Sequence, residues 1–422
     1  MDGAFPGAVI RSRQAALTTT VLGTVVLITA IAPLATDMYV PAFPLVARDL
    51  DANATEVQLT LTTFFVGMAL GQLFGGPFSD RVGRRRPLLV SLLVLTAASV
   101  LCGVSPAIGV MMFARLIQGF SGGWAMVIAR SIVVDLTSGP RLVRAMNLVA
   151  GVAGVAPIVG PLLGAMILQF SHWRVSFWVV AGLAAVMVIA VAVGVPETLA
   201  ARHLGSLTEL VASAGQVLRE RVFTGYLVVF AFSMGTIFAY VATSSFVLQP
   251  MNGLSPVAYS VDFAFNAVGL TIATLIAGRL AGRVPTQRVI SVGLLTTGIA
   301  GVLLFVGALF GMPLVIALIG FFVLMTAQGL IGPNAGALAS GAVPEHPGTG
   351  SALLGFLQWC MAGVIAPIAG LGGEHTAVPM ASIVLVLTAL SALAILQTTA
   401  RAARAWALAA ARVGAGRRPS RR

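Results

Sequence analysis

Lysine is absent from the 422 residues; every basic residue is arginine. A phosphate-binding loop of the GxxxxGK[ST] type requires that lysine, so ATP hydrolysis at such a loop is excluded. Charge of either sign is scarce, at 9% of residues, against about a quarter in an ordinary soluble domain. Only two cysteines occur, Cys102 and Cys360. Both lie in apolar stretches, which excludes a disulfide framework and suggests buried thiols. The four histidines, His172, His203, His346 and His375, show no metal-ligand spacing. So little polar surface cannot cover a water-soluble globule of this size. A cytosolic enzyme, a secreted domain and a disordered tail are thereby excluded.

What is present is apolar. Hydrophobic residues make up 58% of the chain, and about 20 consecutive apolar residues cross a bilayer as a helix. The apolar runs are continuous and do not alternate at period two, which disfavours a β-barrel. Hydropathy predicts spans near 17–42, 57–78, 87–104, 108–134, 144–170 and 175–195. After a polar break come 222–248, 262–281, 288–310, 313–339, 350–371 and 378–399. The expected fold class is an all-α integral membrane protein, with twelve transmembrane helices in two six-helix bundles. The expected domains are 1–195, a cytoplasmic linker 196–221, 222–400, and a basic tail 401–422. The linker has room for a short amphipathic helix around Leu207–Leu218.

Arginine placement sets the expected orientation. With the N-terminus inside, 21 arginines fall on the cytoplasmic side, and only Arg48 and Arg174 fall outside. Arg115 and Arg130 lie within a span, Arg130 near enough to its inner end to snorkel to the interface. Both termini are therefore expected in the cytoplasm of a cell membrane. The net charge of +12 reads as topology, and no nucleic-acid partner is expected.

The two halves echo each other. Gly67, Gly71 and Gly75 recur as Gly269, Ala273 and Ala277. Gly76, Arg81, Val82 and Arg86 recur as Gly278, Arg283, Val284 and Arg288. VAPIVG (Val155–Gly160) recurs as IAPIAG (Ile365–Gly370), and Gln118-Gly119 as Gln328-Gly329. Duplication of a six-helix unit around a central site is a transporter layout.

Few residues carry chemistry. Asp37, in LATDMYVP, lies within the first span, where a carboxylate costs about 2.5–3.5 kcal/mol on insertion scales. It calls for a partner, a wet cavity or a proton. Arg115, in the fourth span, stands at a similar depth and is its expected ion-pair partner. Burial and a neighbouring cation act on such a carboxyl in opposite senses, which suits a proton site. Gln118 lies one turn from Arg115 on the same face. In the loop GPFSDRVGRRRP (Gly76–Pro87), Asp80 and Arg84 are expected to form a charge latch with Asp135. In the fifth span, Ala156, Gly160 and Gly164 recur every fourth residue with Pro157 and Pro161 between, as a kink, hinge or seal. Asp262 is expected at the outer boundary of the eighth span.

Together these elements resemble the major facilitator superfamily over essentially the whole chain. GPFSDRVGRRRP resembles its signature between helices 2 and 3. Arg115-Leu-Ile-Gln118-Gly119 resembles the helix 4 signature of proton-coupled members. APIVGPLLG (Ala156–Gly164) resembles the antiporter signature of helix 5, although Ala165 replaces the second glycine of its pair. LATDMYVPAFP (Leu34–Pro44) is similar to the helix 1 motif of the Bcr/CflA drug:proton antiporters, which include bicyclomycin and phenicol exporters.

The resemblance implies a proton-coupled exporter of small amphipathic drugs. The proton is its coupling ion, and no cofactor, no metal and no enzymatic activity are implied. Asp37 and Arg115 would couple to protons, with Met38, Tyr39 and Gln118 as substrate-cavity candidates. Gly76, Asp80, Arg81, Gly83, Arg84 and Asp135 would form the cytoplasmic gate, and Pro157, Gly160, Pro161 and Gly164 the antiporter helix. The expected partners are a small-molecule drug and the lipid bilayer, with the protein a monomer. Export of an endogenous metabolite or a self-made antibiotic, and less favourably proton-coupled import of a nutrient, are the alternatives.

Overall fold

The computed structural model describes residues 17–137, 139–199, 207–345 and 347–415. The described residues are helical, with short connections. In the first half, α1 (Thr19–Asp37) and the short α2 (Phe43–Asp49) flank a 3-10 turn at Val40–Ala42. They are followed by α3 (Ala54–Val82), α4 (Arg85–Val104), α5 (Ile108–Leu136), α6 (Gly139–Phe170) and α7 (Arg174–Gly194). The linker carries α8 (Leu207–Arg219), where an amphipathic helix is expected. The second half holds α9 (Arg221–Leu248), α10 (Pro256–Leu280), α11 (Thr286–Leu309), α12 (Leu314–Gly341), α13 (Pro347–Ala369) and α14 (Val378–Ala415). Among the described residues, eleven helices are long and apolar enough to cross a membrane. The long α6 completes a set of twelve.

Two boundaries differ from the sequence reading. Helix α10 starts at Pro256 and not near 262, because Ser255 caps it, accepting from the Ala258 N–H at 3.2 Å, and Pro256 suits the first turn. Helix α14 continues through Ala415, well past the expected end of the last span at 399. The alanine-rich run after Arg401 has high helix propensity, so the start of the basic tail extends the helix. Arg11, Arg13, His203 and His346 lie outside the described residues.

Small residues decide how the helices pack, as expected where lipid leaves no hydrophobic drive between them. Along α3, Gly67, Gly71 and Gly75 lie against α5. A Cβ on Gly71 would fall 2.0 Å from the Phe120 carbonyl oxygen, and one on Gly119 would fall 2.0 Å from that of Phe64. Gly76 differs: a Cβ there would meet only Val127, at 3.7 Å. The close approach is thus made by Gly75 and not by Gly76.

The internal repeat is visible in the packing. Gln118 donates to Ser99 Oγ at 2.8 Å, linking α5 to α4. Gln328 donates to Thr297 Oγ1 at 3.1 Å, linking α12 to α11. The same helix pair in each half is therefore tied by the same residue type. Its other partner differs: the Gln118 carbonyl accepts from Arg115, and that of Gln328 from Ser233.

The halves meet where α3 packs on α13 and α6 on α10. One face of the bundle carries the α3–α4 loop and is rich in arginine. At the opposite face the halves are sealed. There Gln58 donates to the Ala242 carbonyl at 2.9 Å, Gln249 to that of Pro41 at 3.0 Å, and Thr55 to that of Gly370 at 3.2 Å. Aromatic contacts continue the seal, with Phe65 stacked on Trp359 and Phe43 near Phe246. On that face Asp49 accepts from Arg174 and Trp173, and Arg174 reaches the Ser105 carbonyl, tying α2 to α7 and to the α4–α5 loop.

Candidate functional site

The first span is broken beside Asp37, and the sequence causes the break. Pro41 has no N–H, so the Asp37 carbonyl has no helical donor four residues on. Tyr39 N–H turns to Thr36 O at 3.0 Å. That leaves the Ala35 carbonyl without its helical partner, the Tyr39 N–H. Discontinuous spans of this type gather polar groups at transport sites. Asp37 sits at the end of α1, 7% exposed, and accepts from Thr36 Oγ1 at 3.1 Å.

Arg115 takes the freed carbonyl. Its Nη1 donates to Ala35 O at 3.1 Å and to Gln118 Oε1 at 2.7 Å. The guanidinium is fully buried among Phe64, Tyr39 and Phe177, with its carbon 4.2 Å from the Phe64 ring centre. Aromatic faces attract a desolvated cation, and the negative end of α1 adds to that attraction. The expected Asp37–Arg115 ion pair is not formed: no carboxylate lies within 4 Å of Arg115 among the described residues. The sequence reading matched depth along the two helices. The helix break turns a backbone carbonyl toward Arg115 in place of the carboxylate.

Helix α6 packs on this break. A Cβ on Gly160 would lie 2.8 Å from the Asp37 Cβ, and one on Gly164 would lie 2.3 Å from the Met38 carbonyl oxygen. The small-residue stripe thus faces the acid itself. Helix α6 passes through Pro157 and Pro161 without interruption.

The substrate-cavity candidates are packed away in this conformation. Met38, Tyr39 and Gln118 are each at most 1% exposed and line no open space in this conformation. Tyr39 is held by Thr60 at 3.1 Å, and Gln118 by Ser99 and Arg115. These hydrogen bonds hold Tyr39 and Gln118 inward, in the packed first half.

At the arginine-rich face the latch is assembled. Arg84 reaches Asp80 at 2.5 Å, Asp135 at 3.0 Å and Ser79 Oγ at 2.6 Å. Gly83 has φ +113°, a conformation that side chains rarely adopt. Arg81 is exposed on the last turn of α3. Arg130 is exposed on α5, with Met126 Sδ 3.9 Å from its Nη2.

A residue that the motif reading missed completes this corner. Glu197 accepts from the backbone N–H groups of Arg84 at 2.7 Å and Arg85 at 3.2 Å, at the start of α4. A Cβ on Gly83 would lie 2.6 Å from the Glu197 carboxylate. Partial burial pushes the Glu197 carboxyl up, but the N–H donors of Arg84, Leu199, Arg85 and Thr198 outweigh it and hold the group below the usual carboxylate range. The sequence signal was an acid directly after the seventh helix, beside the most basic loop.

Asp262 is the seventh residue of α10, two turns from its start, and accepts from Asn266 Nδ2 at 2.9 Å.

Compared with known proteins, the chain matches the family model described as Major Facilitator Superfamily over residues 25–367. The uncharacterized MFS-type transporter YdgK of Bacillus subtilis is 34% identical over 366 residues, covering 86% of this chain and 91% of that protein. The bicyclomycin resistance protein homolog of Haemophilus influenzae is 28% identical, covering 82% and 88%. Multidrug resistance protein D of Escherichia coli is 29% identical, covering 82% and 87%. Among solved structures, a D-xylose–proton symporter superposes with a TM-score of 0.68 at 16% identity, covering 89% of this chain and 96% of that one. That likeness speaks for the fold alone.

Proposed function

This chain belongs to the major facilitator superfamily of membrane transporters, and we propose that it is a proton-coupled exporter of small amphipathic drugs, phenicol- or bicyclomycin-like, of the Bcr/CflA type. The arginine-rich face is the cytoplasmic one in this reading, and both termini are cytoplasmic. The observation that carries it is the packing of Gly160 and Gly164 onto Asp37 and Met38. The resemblance to antiporters rests on those glycines, and they meet the one acid at the break of the first span. Relatives named for bicyclomycin and multidrug resistance support the substrate class.

The cycle is alternating access. A proton reaches Asp37 from outside and removes its charge at the hinge that Arg115 holds through Ala35. The hinge between α1 and α2 relaxes against α6, and the halves rock about the seams α3–α13 and α6–α10. The outer seal at Gln58 and Gln249, formed in this conformation, opens and closes in alternation with the arginine-rich side as the halves rock. A drug enters from the cytoplasmic side as the proton leaves, and the charged, drug-loaded form returns outward.

Drug accumulation in an efflux-deficient host, with and without a protonophore, tests this reading. Expression should lower accumulation of a phenicol, the protonophore should restore it, and Asp37→Asn should behave like an empty vector while still inserting. Protonophore-insensitive efflux, or full efflux by Asp37→Asn, would refute it.

A further inference from the structure

Asp262 is a second acid within a membrane-spanning helix, and the cycle above does not use it. It is half-buried, about 9 Å along α10 from Pro256. No arginine or histidine lies within 4 Å of it among the described residues. The elements packed on α10 are α6, α12 and the turn Val40–Ala42, and α9 meets it through side chains. Neither α12 nor the turn carries a titratable side chain, and the two arginines of α6, Arg141 and Arg144, stand at its other end. The groups that face this region are Tyr240 of α9, Tyr259 of α10 itself and, beyond Tyr259, Asp37. An intramembrane carboxyl without a cation marks a proton or ligand path.

Its surroundings are half of a hydrogen-bonded pair. Asn266 is fully buried and commits one amide hydrogen to Asp262 Oδ2 at 2.9 Å and the other to the Tyr240 hydroxyl at 3.0 Å. Its carbonyl oxygen, Oδ1, is buried with no donor. A buried acceptor left empty costs about 1–3 kcal/mol. A carboxylate cannot fill it, because an ionised Asp only accepts. A carboxylic acid can: its carbonyl keeps the amide N–H, and its new O–H donates to the amide oxygen. One turn along α9 from Tyr240, Ser244 shares a hydrogen with Tyr259 at 3.1 Å.

We propose that Asp262 is a second proton-carrying carboxyl, whose protonated form closes an acid–amide pair with Asn266. The bond formed is Asp262 O–H to Asn266 Oδ1; the proton comes from solvent, and no other bond breaks. Its role in transport rests on the proton-coupled reading above, but proton binding at Asp262 does not.

The test is pH-difference infrared spectroscopy of the full chain in liposomes, without substrate, reading the carbonyl stretch of protonated carboxyls. Two intramembrane bands are expected. Asp262→Asn should remove one, and Asp37→Asn the other. Loss of a band in Asp37→Asn with none lost in Asp262→Asn overturns the proposal and leaves the exporter reading standing. The converse pattern leaves Asp262 standing and removes Asp37 from the cycle. Should Asp262→Asn not insert, Asn266→Ser reads the same pair: a shifted Asp262 band supports it, and an unmoved one overturns it.

Discussion

Arg115 closes on the carbonyl of Ala35 at 3.1 Å, two residues short of Asp37 and one turn from the helix break. A cation that grips a backbone oxygen senses the shape of the hinge more than the charge of the acid. Only Nη1 hydrogen-bonds, serving two acceptors, while Nε and Nη2 are buried without a partner among the described residues and the planar group lies over the Phe64 ring. Lysine has a compact charge and does not stack in this way. Arg115→Lys should therefore cut transport at least tenfold despite keeping the charge. Arg115→Ala should in addition cost about 3 kcal/mol of stability, because it leaves a hole among the aromatic rings and two unpaired acceptors. Initial efflux rates and thermal unfolding in detergent read the two effects. Wild-type transport by Arg115→Lys would show that charge alone suffices.

The seam between α6 and the broken span predicts a contrast between glycines. At Gly164 a methyl group must displace the Met38 carbonyl, since the two would stand 2.3 Å apart. Overpacking of that type costs about 1–3 kcal/mol. At Gly151, on the same helix, nothing lies within 4 Å, so alanine should be neutral or stabilising by up to about 1 kcal/mol. Gly164→Ala should lose transport and melt earlier, and Gly151→Ala should do neither. Equal behaviour of the two variants would remove the seam from the mechanism.

In the latch the two acids are unequal. The Asp80 side chain is 42% exposed and that of Asp135 19%, and both meet the buried Arg84. Exposed ion pairs contribute about 0–1 kcal/mol. Removing the more buried partner strands more of the Arg84 charge. Asp135→Asn should therefore lower the melting temperature more than Asp80→Asn. Both should reduce the maximal transport rate more than they raise the half-saturating drug concentration. A pure affinity loss in either variant would contradict a switching role.

The fold was legible because its signals are local and repeated: long apolar runs, one arginine-rich side, and glycines at four-residue spacing. The latch was legible for the same reason, with Asp80 and Arg84 one turn apart on the chain and Asp135 at the end of α5. What the sequence hid depends on backbone geometry. Pairing Asp37 with Arg115 assumed an unbroken first helix, whereas Pro41 redirects a carbonyl into the place of the carboxylate. The start of α10 was misplaced because hydropathy cannot see the Ser255 cap that begins the helix two turns earlier. Glu197 was passed over because its partners are backbone N–H groups, which no side-chain pattern reveals.

Glu197 gives a pH test confined to the arginine-rich face. Its carboxylate accepts from Arg84 and Arg85 N–H, at the positive end of α4, where a negative charge is favoured. The folded state therefore holds this carboxyl below its unfolded value, about 4.3 for a glutamate. A depressed group adds stability that is present above the unfolded value and is lost as pH falls through the folded one. The group is largely open to solvent, so about 1 kcal/mol is a fair scale for its hydrogen bonds. At neutral pH Glu197→Gln should melt a few degrees earlier than the parent. As pH drops below the usual carboxylate range the gap should close, because the parent protonates and the variant does not. Thermal unfolding of both proteins across an acid series reads this directly. A gap that stays constant down to acid pH would mean that the Glu197 carboxylate does not hold the start of α4 through its charge.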